Sequence, residues 1–261
     1  MEPILEVKDL TKKFPQQGKG DFLAVDHISF RLDRGETLGV VGESGSGKTT
    51  LAKLVCRLTE PTKGSIRLWG QDITKAKGKQ LRKTYQNIQM VFQDPVSSFD
   101  PRQTLGAGIG EYLRNAGIAK GEVQARVTKL LEQCGLEAEF ARRYPHEVSG
   151  GQCQRAAIAR ALAVKPEILI CDEATSALDV TVQRQIMELL WQLRDSQGIS
   201  YLFICHNLAL VQAFCHRVLV MRQGKIVEEG TADEVILHPK TGYARMLADS
   251  VMETELLVGE P

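Results

Sequence analysis

A glycine-rich octapeptide, GESGSGKT at residues 42–49, has the residue types and spacing of a phosphate-binding loop. Its glycines allow backbone N–H groups to turn toward phosphate oxygens, and a helix that begins at its end presents a positive dipole to the same anion. Lys48 can reach the β- and γ-phosphates of a nucleotide, and Thr49 can place its hydroxyl on Mg²⁺. An apolar strand predicted before the loop and a helix after it favour this interpretation over a chance glycine turn.

Two adjacent carboxylates end a second apolar segment, ILICDE at residues 168–173. Asp172 suits Mg²⁺, because this ion prefers oxygen ligands and retains several waters. Glu173 is then available to orient and polarise an attacking water. The alternative is that the two acids only form an acidic start to the next helix.

Gln93 and His206 are weaker candidates, each placed after a predicted strand. The neutral amide of Gln93, in MVFQDP, can contact Mg²⁺ or water without adding charge. His206, after YLFIC, can contact a γ-phosphate or the attacking water. Taken alone, each residue is more often structural, as a polar loop side chain or a satisfied histidine.

A second anion-binding motif, VSGGQ at residues 148–152, combines a serine, two glycines and a predicted helix start. One nucleotide does not need two such motifs on one chain. A pair of chains would use both if each closed its VSGGQ over the phosphate loop of the other.

The elements that must position these residues alternate between strands and helices, which predicts an α/β fold with a mostly parallel sheet. In such sheets ligands bind at the carboxyl ends of the strands, where the phosphate loop, Gln93, Asp172 and His206 are predicted to lie. The early strands, with a turn at 33–35, predict a small antiparallel β subdomain. HRVLVMRQGKIVEEG predicts a hairpin that turns at Gln223-Gly224.

We predict a single nucleotide-binding domain over residues 1–261, with a helical subdomain inserted at roughly 100–160 and a short helical tail at roughly 231–261. Between about residues 104 and 144 strand signals vanish and leucine, isoleucine and valine recur at helical spacing. No internal repeat or low-complexity linker interrupts the chain.

The composition is that of an ordinary globular protein. Of the 261 residues, 43% are apolar and 25% charged, and the net charge is +1. Such a balance gives no strong attraction to nucleic acid or to an anionic membrane. No segment approaches the roughly 18–20 apolar residues of a membrane-spanning helix, and MEPILEVKDL lacks the pattern of a signal peptide. We therefore expect a cytoplasmic chain whose membrane contacts are made through partners.

The six cysteines are scattered singly and form no C-x-x-C pair. Only Cys205-His206 and Cys215-His216 come near a zinc pattern, and their spacing does not fit one. We expect reduced thiols that pack as small apolar side chains. The cysteines are at positions 56, 134, 153, 171, 205 and 215.

These motifs together resemble the ATP-binding-cassette (ABC) family over essentially the whole chain, in the family's order. GESGSGKT resembles the Walker A loop, VSGGQ the signature and ILICDE the Walker B strand. Gln93 resembles the Q-loop glutamine, SALD at 176–179 the D-loop and His206 the switch histidine. Phe14 lies where an aromatic side chain stacks on adenine.

The resemblance implies an ATPase with a P-loop NTPase core, a mostly parallel sheet, an antiparallel β subdomain and an inserted α-helical subdomain. ATP and Mg²⁺ would bind in a sandwich dimer with two ATPs at its interface. Implied catalytic residues are Lys48, Gln93, Glu173 and His206; implied metal ligands are Thr49, Gln93 and Asp172. Implied nucleotide contacts are Phe14, Gly42, Glu43, Ser44, Gly45, Ser46, Gly47, Lys48, Thr49, Thr50, Ser149, Gly150, Gly151, Gln152 and Asp179.

A narrower resemblance is to the peptide and nickel importers, carried by QNIQMVFQDPVSSFDPRQT, YPHEVSGGQCQRAAIARAL and HPKTGYARML. These sequence segments are similar to those of the second of the two paired ATPases, the F-type or the nickel E-type subunit. This implies a heterodimer with a D-type ATPase, two permeases and an extracytoplasmic substrate-binding protein, at the cytoplasmic face of the inner membrane. The chain has no cysteine after Cys215, so we expect no iron–sulfur cluster, and its shortness favours nickel or metallophore members.

Two residues differ from the usual sequence pattern of the family: Asn207, where aspartate is common, and Cys153, where a longer polar residue is usual. Neither removes a group assigned to catalysis, although the first could loosen His206. Three other functions compete with import: a nucleic-acid cassette protein, an export or lipoprotein-release ATPase, and a metal-binding protein. One cassette, near-neutral charge, the HPKTGYARML tail and the cysteine spacing argue against them.

Overall fold

The computed structural model describes residues 3–16, 20–176 and 178–249. The chain divides into two compact units, the first made of Met1–Tyr85 and Ser200–Pro261, the second of Gln86–Ile199. The single domain over 1–261 stays a prediction, and the end of its tail, residues 250–261, lies outside the described residues. Over the described ranges, no helix is both long and apolar enough to cross a bilayer.

Ten strands are described, together with eight numbered α-helices and one further helical segment. In chain order they are β1 (Leu5–Gln16), β2 (Gly20–Leu32), β3 (Thr37–Val41), α1 (Lys48–Val55), β4 (Lys63–Leu68), β5 (Gln71–Asp72), α2 (Gly78–Asn87), β6 (Ile88–Val91), α3 (Leu105–Asn115), α4 (Lys120–Gln133), α5 (Gly150–Leu162), β7 (Ile168–Asp172), α6 (Val180–Gln197), β8 (Ser200–Ile204), α7 (Leu208–Phe214), β9 (Arg217–Arg222), β10 (Lys225–Thr231) and α8 (Ala232–Leu237). Residues 242–249 are also helical.

The first unit contains an antiparallel sheet in the order β2-β1-β4-β5 and a second group of strands in the order β10-β9-β3-β8. In the second group β3 pairs in parallel with both β8 and β9. All five residues of β3 and of β8 are buried, as expected for central parallel strands. The predicted antiparallel β subdomain and the parallel strands that lead to the phosphate loop are therefore present.

The predicted hairpin is also present, since β9 and β10 pair antiparallel around the turn Gln223-Gly224. Both turn residues have positive φ, 48° and 80°. Positive φ at both positions is typical of the two-residue hairpin turns whose twist matches that of the flanking strands, and glycine adopts positive φ readily.

In the second unit β6 and β7 pair in parallel, and helices α3, α4 and α5 pack against one another. Each of α3 and α4 buries one apolar stripe at a spacing of about four residues, as the sequence predicts. The buried side chains are Leu105, Ile109 and Leu113 on α3, and Val123, Val127 and Leu131 on α4.

Candidate functional site

The phosphate loop, residues 42–49, leaves the buried end of β3 and enters α1 at Lys48. Gly42 and Gly47 have φ of 148° and 106°, which side chains rarely adopt. An added Cβ would lie 2.1 Å from the Met221 carbonyl oxygen at Gly42, and 2.3 Å from the Ala24 carbonyl oxygen at Gly47. Both glycines are therefore required for the loop to pack against its neighbours.

Lys48 is buried, and its ammonium group is held on the loop itself. Nζ donates to the carbonyl oxygens of Gly42 at 2.7 Å and Glu43 at 2.8 Å. The buried Ser46 Oγ has no hydrogen-bond partner. The cap of α1, Gly47, supplies no side-chain bond to the helix, and the positive dipole end of α1 lies at the end of the loop, where it favours an anion.

Two segments far along the chain support this loop from outside. Gly224, in the β9–β10 turn, donates its N–H to the Ser46 carbonyl oxygen at 2.9 Å. The N–H of Glu43 donates to the hydroxyl oxygen of Tyr243 at 3.0 Å. Reasoning from sequence missed both contacts, and GYARM around Tyr243 served only as a mark of family resemblance.

The acidic pair of the second unit lies at the end of β7. Asp172 is its last residue and is buried. Glu173 follows with φ of 48°, an uncommon conformation for a residue with a side chain. Its carboxylate Oε2 accepts a hydrogen bond from Gln93 Nε2 at 2.9 Å. The structure thus brings together the predicted water-positioning carboxylate and the predicted Q-loop amide.

Ser149 and Gln152 form a reciprocal cap at the start of α5. The Ser149 hydroxyl accepts from the Gln152 N–H at 3.3 Å, and Gln152 Oε1 accepts from the Ser149 N–H at 2.9 Å. An added Cβ at Gly151 would lie 2.3 Å from Val182 Cγ1, whereas one at Gly150 would have 3.7 Å to its nearest atom. Gly150 is exposed, so it can meet a partner molecule.

Asp179 caps the neighbouring helix α6, where its carboxylate accepts from the Val182 N–H at 2.9 Å. Val180, the first residue of that helix, is 81% exposed. Ala177, within the predicted D-loop, lies outside the described residues.

His206 and Phe14 belong to the first unit and are both exposed. His206 follows β8, as the sequence predicts. Phe14 lies on β1 opposite Phe22 of β2. The ammonium of Lys12 lies 5.0 Å from the centre of the Phe14 ring, within the range of a cation–π contact.

The family model described as "ABC transporter" matches residues 25–176. The chain belongs to the ABC transporter family. It is 48% identical over 257 residues to a Brucella abortus (strain 2308) protein whose name assigns it to peptide import as an ATP-binding protein; these residues cover 96% of this chain and 77% of that one. It is also 48% identical to the glutathione import ATP-binding protein GsiA of Salmonella typhimurium (strain LT2), with 96% of this chain and 41% of that one covered.

Solved cassettes share the fold. The dimeric cassette MJ0796, described in a post-hydrolysis state bound to ADP and Pi, gives a TM-score of 0.80 at 28% identity, over 87% of this chain and 98% of that one. The cbiO1 protein of Clostridium perfringens, described as part of the transporter complex cbiONQ, gives 0.80 at 27% identity over 100% of both chains. The predicted fold class is confirmed: this chain is an ABC ATPase that binds ATP.

The two departures from the cassette wording have structural explanations. Asn207 caps α7, because its Oδ1 accepts from the N–H groups of Ala209 at 3.0 Å and Leu210 at 3.2 Å. An aspartate would cap this helix in the same way. Cys153 is fully buried, and burial raises the pKa of its thiol to about 11. It is therefore an unreactive packing residue of the cassette at neutral pH.

Of the two Cys/His pairs, Cys215-His216 has a structural role in this cassette. His216 Nδ1 accepts from the Thr37 N–H at 2.9 Å, and the His216 N–H donates to the Thr37 carbonyl oxygen at 2.8 Å. This clamp joins β3 to the start of β9. All six cysteines of the chain are buried.

Proposed function

We propose that this cassette is the ATP-hydrolysing subunit of an importer that takes up a peptide or a related small solute. The observation that carries the proposal is the presence of a glycine-dependent phosphate loop and a capped signature helix with an exposed N-terminus in a chain 48% identical to proteins named for peptide and glutathione import. Binding and hydrolysis of ATP would drive opening and closing of membrane permeases.

Each predicted residue would act on the nucleotide according to its chemistry. Phe14 would stack on adenine, and the phosphate loop with Lys48 would hold the phosphates. Glu173, held by Gln93, would orient the attacking water, and His206 would contact the γ-phosphate. The exposed ends of the signature and of α6, from Ser149 and Asp179, would contact the ATP held by a second cassette.

Each residue proposed for Mg²⁺ carries an oxygen donor that suits this ion: Thr49 a hydroxyl, Asp172 a carboxylate and Gln93 an amide oxygen. When bound, this ion would neutralise charge on the β- and γ-phosphates. The buried, unpartnered Ser46 hydroxyl is a further polar group of the loop.

We propose the F-type or nickel E-type position in a complex with a D-type ATPase, two permeases and an extracytoplasmic binding protein. In this arrangement the chain is peripheral, at the cytoplasmic face of the inner membrane, and it contacts nucleotide and permease but not the cargo. The two relatives described above are named for peptide and glutathione, so these solutes are tested first and nickel after them.

The test is uptake in cells that lack this chain. Labelled dipeptide, glutathione or Ni²⁺ is supplied to the deletion strain carrying the wild-type chain, Glu173→Gln, or the matched variant Glu188→Gln, whose exposed carboxylate pairs with Arg184 at 3.1 Å. We expect wild type and Glu188→Gln to restore uptake of one solute and Glu173→Gln to fail. Uptake that is independent of the chain, or solute efflux in its presence, would contradict the proposal.

A further inference from the structure

Tyr243 joins the C-terminal part of the first unit to the phosphate loop. Its side chain is 7% exposed, and its hydroxyl oxygen accepts the N–H of Glu43 at 3.0 Å. The guanidinium carbon of Arg222, at the end of β9, lies 4.7 Å from the centre of its ring. The ring is thus held from one side while its hydroxyl meets the loop backbone.

The N–H of Glu43 belongs to the same peptide group as the carbonyl of Gly42. That carbonyl accepts from Lys48 Nζ at 2.7 Å. Because a peptide group is planar and resists twisting, the orientation of its N–H fixes the orientation of its carbonyl. Tyr243 and Lys48 therefore bind the two ends of one rigid peptide group.

The segment that carries Tyr243, residues 238–249, is itself anchored, and we call it the tail segment. Buried Glu228 of β10 accepts from the N–H groups of Lys240 and Thr241, each at 2.8 Å, and from the Thr241 hydroxyl at 2.6 Å. The Thr241 hydroxyl in turn accepts from the Ala244 N–H at 3.1 Å. These bonds fix the turn that places Tyr243 under the loop.

We propose that Tyr243 is a positioning residue for Lys48, acting through the Gly42–Glu43 peptide group. Gly42 has no side chain to restrict its backbone, and its φ of 148° lies outside the regions of other residues. An external acceptor for the Glu43 N–H selects one orientation of this peptide from those that glycine allows. The tail segment thereby sets the nucleotide affinity of the loop, an inference that rests on the proposed nucleotide function.

The test compares Tyr243→Phe with Tyr85→Phe in the full chain. The matched control also loses a tyrosine hydroxyl bonded to backbone, the Arg57 carbonyl oxygen at 3.3 Å, outside the loop. Hydrogen exchange without nucleotide reports on the Glu43 amide, and titration with MgATP gives the dissociation constant. We expect Tyr243→Phe to exchange faster at Glu43 and to bind MgATP about two- to tenfold more weakly, while Tyr85→Phe changes neither.

Unchanged exchange at Glu43, or MgATP affinity equal to wild type, would overturn the role of Tyr243. A merely structural role would lower the melting temperature and the active fraction but leave the dissociation constant of the folded fraction unchanged, and this result also overturns it. Failure of the wild-type chain to bind MgATP contradicts the proposed function itself, whereas equal binding by wild type and variant contradicts only the inference about Tyr243.

Discussion

Glu173 combines an uncommon backbone conformation with a held side chain. Its φ of 48° places it in the left-handed region, and Ser176 stabilises this turn, since both its N–H and its hydroxyl donate to the Glu173 carbonyl oxygen. Strain of this kind persists where surrounding structure determines it, as at functional sites. The carboxylate is consequently presented to Gln93 in a defined direction.

We predict that Glu173→Gln lowers ATP turnover about 10²–10⁴-fold, because the amide cannot accept a proton from water. ATP affinity should stay near that of wild type, since the phosphate loop is untouched. Phosphate release and nucleotide titration on the purified chain measure the two effects. Glu188→Gln removes an exposed carboxylate of α6 and serves as the control; turnover retained in Glu173→Gln would remove that residue from the mechanism.

Asn207 allows a second prediction at the scale of one residue. Its side chain accepts from two backbone N–H groups at the start of α7, so Asn207→Ala should lower the free energy of unfolding by about 1 kcal/mol. Asn207→Asp retains an acceptor oxygen and should be close to wild type. Urea unfolding of the three proteins measures the capping effect, and phosphate release tests a role in nucleotide chemistry, for which Asp and Asn would differ in turnover.

At the scale of elements, Gly151 of the signature lies where α5 packs against α6. A Cβ at Gly151 would meet Val182, a branched side chain with little freedom to move. Gly151→Ala should therefore lower the free energy of unfolding by about 1–3 kcal/mol. Gly150→Ala, one residue earlier, should be neutral or stabilising, because its new Cβ would lie 3.7 Å from the nearest atom.

Adding Val182→Ala to Gly151→Ala tests the cause of this effect. Because the second change removes the methyl group that the new Cβ would meet, the double variant should be more stable than the sum of the single effects predicts. Strict additivity in thermal or urea unfolding would show that the helices adjust without a clash.

The tail segment gives an element-scale prediction with a pH dependence. Burial raises the pKa of Glu228, but hydrogen bonds from Lys240 and Thr241 lower it more, so the pKa is below its ordinary value of 4.5. A depressed carboxyl pKa stabilises the folded state above the unfolded pKa, and this stabilisation is lost as the pH falls through the folded value. Its contribution is therefore complete near neutral pH.

Glu228→Gln should destabilise the chain by about 1–2 kcal/mol at pH 7. The difference from wild type should shrink as the pH falls from about 4.5 through the folded pKa, because protonated Glu228 is uncharged, as the glutamine is. Unfolding curves between pH 3 and 7 measure this, with the exposed Glu60→Gln as control. A difference that does not vary with pH would mean that packing, not charge, holds the tail segment.

The sequence pattern was sufficient to predict the helices and strands that have strong hydrophobic periodicity or carry a chemical motif. The buried strands β3, β7 and β8 and the stripes of α3 and α4 were predictable because apolar runs and helical spacing are local signals. Helix α2 was not predicted, since Thr84 is its only buried residue and no apolar stripe marks it. Helix α7 was also missed, because it has seven residues and directly follows a strand motif.

Contacts between distant segments were not predictable from the motifs. The Tyr243–Glu43 hydrogen bond joins residues 200 positions apart, and the Gly224–Ser46 bond depends on how β9 and β10 turn back to the loop. Neither Tyr243 nor Gly224 belongs to a sequence motif for phosphate binding. The motifs predict which groups contact a nucleotide, whereas the residues that hold those groups are visible only in the folded chain.

At the scale of the whole molecule, buried thiols make the stability of the second unit sensitive to alkali. Cys134 and Cys153 lie in the second unit, and burial raises their thiol pKa values to about 12 and about 11. An unfolded thiol ionises near its ordinary pKa of 9.0. The folded state keeps these protons longer, so their contribution to stability is constant below about pH 9 and falls as the pH rises.

The two tryptophans separate the units, since Trp69 lies in the first and Trp191 in the second. Trp69→Phe leaves a probe of the second unit, and Trp191→Phe leaves a probe of the first. Between pH 8 and 10.5 the urea midpoint seen by Trp191 should fall, because the thiols of the second unit ionise first in the unfolded state. The expected loss is about 1.4 kcal/mol per pH unit above 9 for each buried thiol.

Cys134→Ala serves as the control for this fall, because it removes one of the three buried thiols of the second unit. In that background the fall seen by Trp191 should be shallower, even though the variant is less stable at pH 8 through its lost packing. If both probes shift in parallel in every background, either the units unfold together or the alkaline loss comes from other groups. A Trp191 curve that Cys134→Ala flattens would show that buried thiols in the unit bearing the signature helix lower its stability in alkali.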